Sequence, residues 1–253
     1  MAHFHTYHPQ RDLEREEELR WQRQIRDHER EWIRSASPRT QALDALQRIH
    51  QGEIPRAEWE SVLEDPEPSD PEQQPSWRAR RTLAAQVLAR DATGYADALR
   101  VCRCLADIVT HVGPNGMSLA LQPLTVTVSL DAPSSQAMHL PNGALVSMQE
   151  LTRGNDRRLY QDYVCGLALR AARDVMAVLL VEDVIVDVSL TYRAREEDEP
   201  FRTRVLSVLC PRAAMDMFDW SSCDASNTVE MLAHEMDFSE QGGFRKVPQI
   251  TRE

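Results

Sequence analysis

Side chains that could hold a metal ion or transfer a proton are densest near the C-terminus of this chain. They are Asp216, Asp219, Asp224, Glu235 and Asp237. Paired carboxylates bind Mg²⁺ and can activate a water molecule, so this density allows a metal-dependent hydrolase. Asp224, however, precedes a predicted helix that it can cap, and Asp216 and Asp219 flank apolar residues in an alternation that turns charge toward solvent. We therefore interpret these acids as surface charge and predict no catalytic residue among them.

Two further motifs come close to known active sites without completing them. His234-Glu235 begins like the His-Glu-x-x-His motif of zinc proteases, but Phe238 stands where the second histidine is required. A predicted strand carrying Asp187 invites comparison with restriction-type nucleases, in which the next strand supplies an acid and a lysine. The next strand here offers Arg202 and Arg204 instead. A DNA-linked, nuclease-like hydrolase therefore remains an alternative by analogy of fold.

Histidines and cysteines do not form a recognisable metal or redox motif. His3, His5 and His8 lie at the N-terminus, where a His-rich tip could bind a metal but lacks further ligands to complete a tetrahedral site. Five cysteines have no disulfide-framework spacing, and Cys102 and Cys104 fall in an apolar periodic segment, so we predict reduced, buried thiols. The chain also lacks a glycine-rich phosphate loop and a Gly-x-Ser-x-Gly elbow. The sequence predicts neither a metal site nor a cofactor.

The N-terminal segment from Asp12 to Arg34 carries the strongest indication of a binding surface. Its acidic and basic residues are nearly balanced, which is typical of a long solvated helix with many i,i+4 ion pairs. Trp21, Ile25 and Trp32 fall on one narrow stripe of this helix. Tryptophan is the residue most enriched at interface hot spots. The stripe either packs on the chain's own helices or binds another protein or a second copy, and we predict that Trp21, Ile25 and Trp32 are partner-binding.

Composition narrows the function classes and the compartment. The formal net charge of −11 opposes binding to nucleic acid, which clustered cations normally hold. The N-terminus lacks the features of a secretory signal, and the longest apolar run, Val175 to Val181, is too short to span a bilayer. Reduced cysteines favour a cytoplasmic protein. All basic residues except Lys246 are arginine, which indicates a bacterium with a GC-rich genome.

Composition shifts divide the chain into three parts. Residues 1–64 are predicted to be a helical N-terminal region. Residues 65–76 lie in an acidic, proline-rich stretch that is too polar to pack a core, and they are predicted to be an exposed linker. Residues 77–253 are predicted to be an α+β domain.

Apolar periodicity gives the elements of that domain. Trp77 to Arg90 reads as one helix, and apolar residues from Tyr95 to Val112 mark another that ends at Gly113-Pro114. Alternating residues predict strands over Leu124 to Leu130, Val184 to Leu190 and Val205 to Leu209, with a weaker strand near Ala144 to Met148. A long helix from Asp156 to Leu180 carries one apolar stripe. We predict an α+β fold in which a helical N-terminal region precedes a small, mostly antiparallel sheet covered by one long helix.

The last hundred or so residues resemble the C-terminal region of uncharacterised bacterial proteins. The resemblance is carried by the long helix, the strand Val184-Ile185-Val186-Asp187-Val188, the strand Val205-Leu206-Ser207-Val208, and the ending His234-Glu235-Met236-Asp237-Phe238 with Gly243-Phe244. That family implies the architecture and no activity. The favoured interpretation is a non-catalytic bacterial interaction or assembly module. The nuclease-like or metal-dependent hydrolase and a small-ligand-binding domain, with the ligand between helix and sheet, remain alternatives.

Overall fold

A computed structural model describes residues 38–52, 54, 56–133, 137–139, 145–147, 157–192 and 201–251. The predicted helix Asp12 to Arg34, with Trp21, Ile25 and Trp32, lies outside these residues. So do the N-terminal histidines and two further stretches in which the sequence predicts turns, Pro141-Asn142-Gly143 and Glu196 to Pro200.

The described elements form a helical first part, which is followed by a second part of mixed strands and helices. Five helices come first: α1 (Pro38–Gln47), α2 (Trp59–Glu64), α3 (Gln74–Leu88), α4 (Ala92–Cys102) and α5 (Ala106–Val112), with a 3-10 turn at Ile49–Gln51. Strands β1 (Met117–Leu121), β2 (Thr125–Ala132), β3 (Ala137–His139) and β4 (Leu145–Ser147) precede the long helix α6 (Arg157–Val178). The remaining elements are β5 (Asp183–Tyr192), β6 (Phe201–Pro211), α7 (Arg212–Met215), α8 (Ala225–Glu230), β7 (Ala233–Met236), β8 (Phe238–Ser239) and β9 (Gly243–Phe244).

The main sheet has five strands in the order β1-β2-β5-β6-β7. All neighbouring pairs are antiparallel except β2 and β5, which run parallel. A parallel pair requires a crossover connection, and here the crossover contains α6. The predicted α+β fold with a mostly antiparallel sheet and one long helix packed on it is therefore confirmed. The weaker predicted strand is also present as β4, but it pairs with β3 in a separate two-stranded sheet.

The core lies between the sheet and α6. Val128, Val186 and Val208 are paired across three strands and are fully buried. The predicted stripe of α6 is buried too, but burial extends around most of this helix because the 3-10 turn and α8 pack on its outer side. Gly166 makes that packing possible, since a Cβ there would stand 2.7 Å from the Cγ2 of Ile49. The helix is thus central to the molecule, which the single predicted stripe did not indicate.

The N-terminal helices join this same core. Leu46 of α1 is fully buried, and the Trp59 indole of α2 donates a 2.6 Å hydrogen bond to the carbonyl of Val178 at the end of α6. Of the predicted linker 65–76, residues 65–73 have no helix or strand and are exposed except Pro68, whereas the last three residues already belong to α3, because Pro75 suits the first turn of a helix. The chain on both sides of this segment therefore contributes to one core, and the division into domains stays a prediction.

Three element predictions are wrong in detail. The single helix expected between Tyr95 and Val112 is two helices, because Arg103 adopts a left-handed conformation with φ of 52° and ends α4. Strand β1 was not predicted, because Met117–Leu121 contains no β-branched residue to signal a strand. The sequence predicts a short helix from Ser226 to Ala233, but Ala233 begins strand β7, because residues 233–236 pair with β6. The sequence also predicts a turn at Gly242-Gly243, which the structure confirms, with Gly243 at φ of 73° in the β8–β9 hairpin.

No helix in the described ranges is long and apolar enough to cross a membrane.

Candidate functional site

Of the five C-terminal acids that the hydrolase alternative requires to converge, four are bound to different neighbours, and Glu235 lies on β7. Their partners are Arg56 for Asp216, Ser221 and Ser222 for Asp219, Asn227 for Asp224, and Arg245 for Asp237. The Asp224 carboxylate accepts a hydrogen bond from the backbone N–H of Asn227 at 3.0 Å, so it caps α8 as predicted. Within the described residues, three or more His, Cys, Asp or Glu side chains do not gather in an arrangement that could hold a metal ion.

The cysteine prediction is wrong for Cys102. Its side chain is exposed at the last residue of α4. Cys165 and Cys210 are buried, as expected, while Cys104 and Cys223 are half-buried. Burial raises the pKa of Cys104 and of Cys210 to about 12, so both thiols are protonated and weakly nucleophilic at neutral pH.

Asp187, the candidate first acid of a nuclease, is a buried and fully partnered carboxylate. It lies on the face of the sheet opposite α6, where only 3% of its surface is exposed. Ser207 Oγ donates to Asp187 Oδ1 at 2.6 Å and Gln249 Nε2 donates to Oδ2 at 2.8 Å. Arg204 Nε stands 3.4 Å from Oδ1. A carboxylate surrounded in this way by donors of its own chain is already satisfied without a metal ion.

The role of Asp187 is to fasten the C-terminal segment to the sheet. Ser207 relays the contact, since its hydroxyl donates to Asp187 and accepts a 3.0 Å hydrogen bond from the backbone N–H of Ile250. The backbone N–H of Val247 also donates to the carbonyl of Arg204 at 3.0 Å, and Val247 is buried. Residues 247–250 are therefore attached to strand β6 at Arg204 and Ser207, and Gln249 contacts Asp187 on the polar face of the sheet.

This geometry changes what is expected of a mutation at Asp187. The sequence pattern predicts that Asp187→Asn is nearly silent for folding, because alternation places this residue outward. In the structure an amide would turn its NH₂ group toward one of three donors, so we expect Asp187→Asn to lower the free energy of unfolding by about 1–3 kcal/mol. Hydrogen exchange of the Val247 and Ile250 amides should also accelerate. Asp97→Asn is the matched control, because Asp97 is an exposed partner of Arg100. Equal effects of the two substitutions would contradict the fastening role.

A polar cleft between the 3-10 turn and α8 brings together groups that the sequence analysis did not single out. His50 is 1% exposed, and its Nε2 lies 2.9 Å from the carbonyl oxygen of Cys223. Because a carbonyl can only accept, Nε2 must carry the proton, which leaves Nδ1 as a lone pair without a hydrogen-bond partner in the described chain. Burial lowers the pKa of His50, so the ring is neutral at pH 7.

Two carboxylates of this cleft share one hydroxyl group. Ser226 Oγ lies 2.7 Å from Asp162 Oδ1 and 2.9 Å from Asp224 Oδ1. A hydroxyl has a single proton to donate, so short contacts to both are best satisfied when one carboxyl is protonated. Burial raises the pKa of Asp162. The cavity volume of about 250 Å³ is below the 300–1,000 Å³ typical of sites for drug-sized ligands.

No local signal could have revealed this cleft, because His50 and Cys223 are 173 residues apart in the sequence.

The exposed edge of the main sheet is the best-defined candidate surface for assembly. Among the described residues, β1 pairs with β2 on one side only and is the end strand of the sheet. Its side chains alternate, with Ser118 and Ala120 exposed and the other three half-buried. The strand contains no charged residue and no proline, which are the features that usually prevent edge strands from pairing with another chain.

No family model, curated protein or solved structure matches the chain. The resemblance of its C-terminal region to uncharacterised bacterial proteins stays a prediction.

Proposed function

We propose that this chain is a non-catalytic interaction and assembly module of the bacterial cytoplasm, and that it self-associates through β1. The observation that supports the proposal is the uncharged edge strand Met117–Leu121 with its outward row of backbone donors and acceptors. The intrachain roles of Asp187 and of the C-terminal acids support a non-catalytic function rather than the hydrolase alternative.

A second copy is the partner that suits this edge. Two antiparallel β1 strands can pair around a two-fold axis and extend the five-stranded sheet into one of ten strands, in the commonest symmetry of soluble oligomers. Two chains of net charge −11 repel each other. Because β1 carries no charge, a contact through β1 places no like charges of the two strands against each other, and the remaining charges are farther apart and screened by salt.

A five-residue edge is too small to hold two copies together by itself. Specific interfaces bury about 1,200–2,000 Å² in total, so a second contact is required. The predicted stripe of Trp21, Ile25 and Trp32 is our candidate, since each buried tryptophan contributes about 150–250 Å². We therefore propose that these three residues either contribute to the same interface between two copies or bind another protein next to that interface.

Charged edge substitutions test the proposal. We expect the wild-type chain to sediment as a dimer and the Ser118→Lys/Ala120→Lys variant to sediment as a monomer, because two lysines on each β1 would face two on the other. Both side chains are exposed, so the free energy of unfolding of the monomer should change by no more than about 0.5 kcal/mol per site. The charge-matched control is Ala79→Lys/Ala85→Lys, two exposed positions on α3.

A second arm addresses the tryptophan stripe. Trp21→Ala/Trp32→Ala should weaken association while the thermal transition of the chain stays almost unchanged. A wild-type monomer at every concentration, or a lysine variant that dimerises as well as the control, would overturn self-association through β1. A rise in melting temperature on adding Mg²⁺, Mn²⁺ or Zn²⁺ would instead favour the hydrolase alternative, because a bound metal stabilises the folded state by mass action.

A further inference from the structure

A small cleft at the C-terminal end of α6 gathers three arginines in a chain that is otherwise strongly acidic. Arg56 precedes α2, Arg173 lies in the last turns of α6, and Arg212 begins α7. Trp220 and Asp216 complete the polar part of its lining. We name this surface the arginine cleft. None of its lining residues belongs to β1 or lines the polar cleft between the 3-10 turn and α8.

Two of the three guanidinium groups are held in place by groups that do not neutralise them. Arg212 donates to the backbone carbonyls that follow the last turn of α6, with Nε 2.8 Å from Val181 O and Nη2 2.6 Å from Leu179 O. Arg173 lies over the Trp220 ring with its guanidinium carbon 4.5 Å from the ring centroid, and it donates to the carbonyl of His50. The ring itself is fixed by a 3.2 Å hydrogen bond from Trp220 Nε1 to the Met215 carbonyl. The cleft is therefore preorganised.

The positive charge of the arginine cleft is only partly compensated. Asp216 is the one acid in the lining, and its ion pair with Arg56 is open to solvent, with 75% of the Arg56 side chain exposed. Such pairs contribute little and exchange easily. Burial lowers the pKa of Arg173 and of Arg212, and the charge of Arg56 acts in the same direction on both, while Asp174 raises the pKa of Arg173 and Asp216 raises that of Arg212. An anion in the cleft would relieve this repulsion.

We propose that the arginine cleft binds one oxyanion group, a phosphate or a carboxylate, with Arg56 and Arg173 as its ligands and Arg212 as a fixed supporting charge. The guanidinium fork suits both groups, because each presents two or more oxygens in a plane or a tetrahedron face. The cavity volume of about 80 Å³ suits one group of this size. Arg56 can turn from Asp216 to the ligand because its side chain is exposed.

The test uses the full-length chain labelled with ¹⁵N and follows the indole N–H resonance of Trp220. Trp220→Phe identifies that resonance among the five tryptophans. Sodium phosphate and sodium acetate are titrated separately, each against sodium chloride at equal ionic strength. We expect a saturable shift with phosphate, acetate or both that chloride does not produce. A response to phosphate alone identifies a phosphoryl group as the ligand, and a response to acetate identifies a carboxylate.

Two variants and one control decide whether the shift belongs to this cleft. Arg56→Gln and Arg173→Gln should each weaken binding about tenfold or more, since each removes a charge-assisted hydrogen bond. Arg100→Gln removes the same charge from an exposed pair with Asp97 and should leave the affinity unchanged. Should Arg173→Gln fail to fold, the exposed Arg56 still decides. Equal shifts in Arg56→Gln and Arg100→Gln, or shifts that chloride reproduces, would overturn the proposal.

Discussion

Val186→Asp should lower the free energy of unfolding by about 4 kcal/mol or more. Val186 is fully buried on β5, and its neighbours across the sheet, Val128 and Val208, are fully buried as well. An aspartate there finds aliphatic groups on both sides, so its carboxyl must either ionise without a partner or remain protonated with a strongly raised pKa. Denaturant titration at pH 7 measures the loss, which should be smaller at pH 5 because protonation removes the buried charge.

Two controls separate charge from lost volume. Val186→Ala removes two methyl groups without adding charge and should cost about 2 kcal/mol. Ser118→Asp adds the same charge at an exposed position of β1 and should change the stability by no more than about 0.5 kcal/mol. If Val186→Asp costs no more than Val186→Ala, Val186 does not face the core between the sheet and α6.

Arg170→Ala should cost about 3–5 kcal/mol, as expected when one partner of a buried ion pair is removed. Arg170 is 9% exposed on α6, and its Nε donates to Asp174 Oδ1 at 2.9 Å. Its Nη2 also reaches Asp107 of α5 at 3.0 Å. Asp174 has no solvent-exposed surface, and its Oδ2 atom has no hydrogen-bond partner in the described chain. Loss of Arg170 would leave Asp174 as a buried carboxylate without its cation.

The deficit of Arg170→Ala should shrink as the pH falls. Burial raises the pKa of Asp174 to about 6 even beside Arg170, and removal of the arginine raises it further. A folded-state pKa above the unfolded value of 3.8 means that the folded protein binds the extra proton. Stability tied to this group is therefore present at low pH and lost as the pH rises through the folded pKa.

Denaturant unfolding of the wild type and of Arg170→Ala at pH 7 and pH 5 measures how the stability difference depends on pH. Groups that titrate alike in both proteins cancel in that difference. The control is Arg100→Ala, which breaks an exposed i,i+3 pair with Asp97 and should cost no more than about 1 kcal/mol. A cost for Arg170→Ala as small as that of the control would contradict the buried-pair interpretation.

Elements whose signals are local were predictable. Alternating residues identify β2, β5 and β6, and a long apolar period identifies α6 to within two residues at each end. Asp224 is recognisable as a helix cap because the group that it accepts from, the N–H of Asn227, is three residues away. Residues 65–73 of the acidic segment have too few apolar groups to be buried in a core, so their exposure is predictable from composition alone.

Predictions failed where the deciding partner is distant in sequence. Alternation alone turns Asp187 toward solvent, yet Gln249, 62 residues later, covers it and makes it a buried carboxylate. Apolar spacing runs through Arg103 without interruption, yet the chain breaks there into two helices so that Asp107 of α5 can reach Arg170 of α6. Strand β1 exists because Met117–Leu121 pairs with β2, although its own residues have little strand preference.

The sequence by itself thus determined the α+β class, the long helix, the central strands and the exposed acidic segment. Each depends on whether a stretch of 5–20 residues can bury one face, a property of neighbouring side chains alone. Only the tertiary structure decided which polar groups meet: Asp187 with Gln249, Asp162 with Asp224, and Arg56 and Arg173 with Arg212. The packing of apolar helices and strands brings such polar groups together and sets the distances between them. The spacing of the polar residues in the sequence does not predict these contacts.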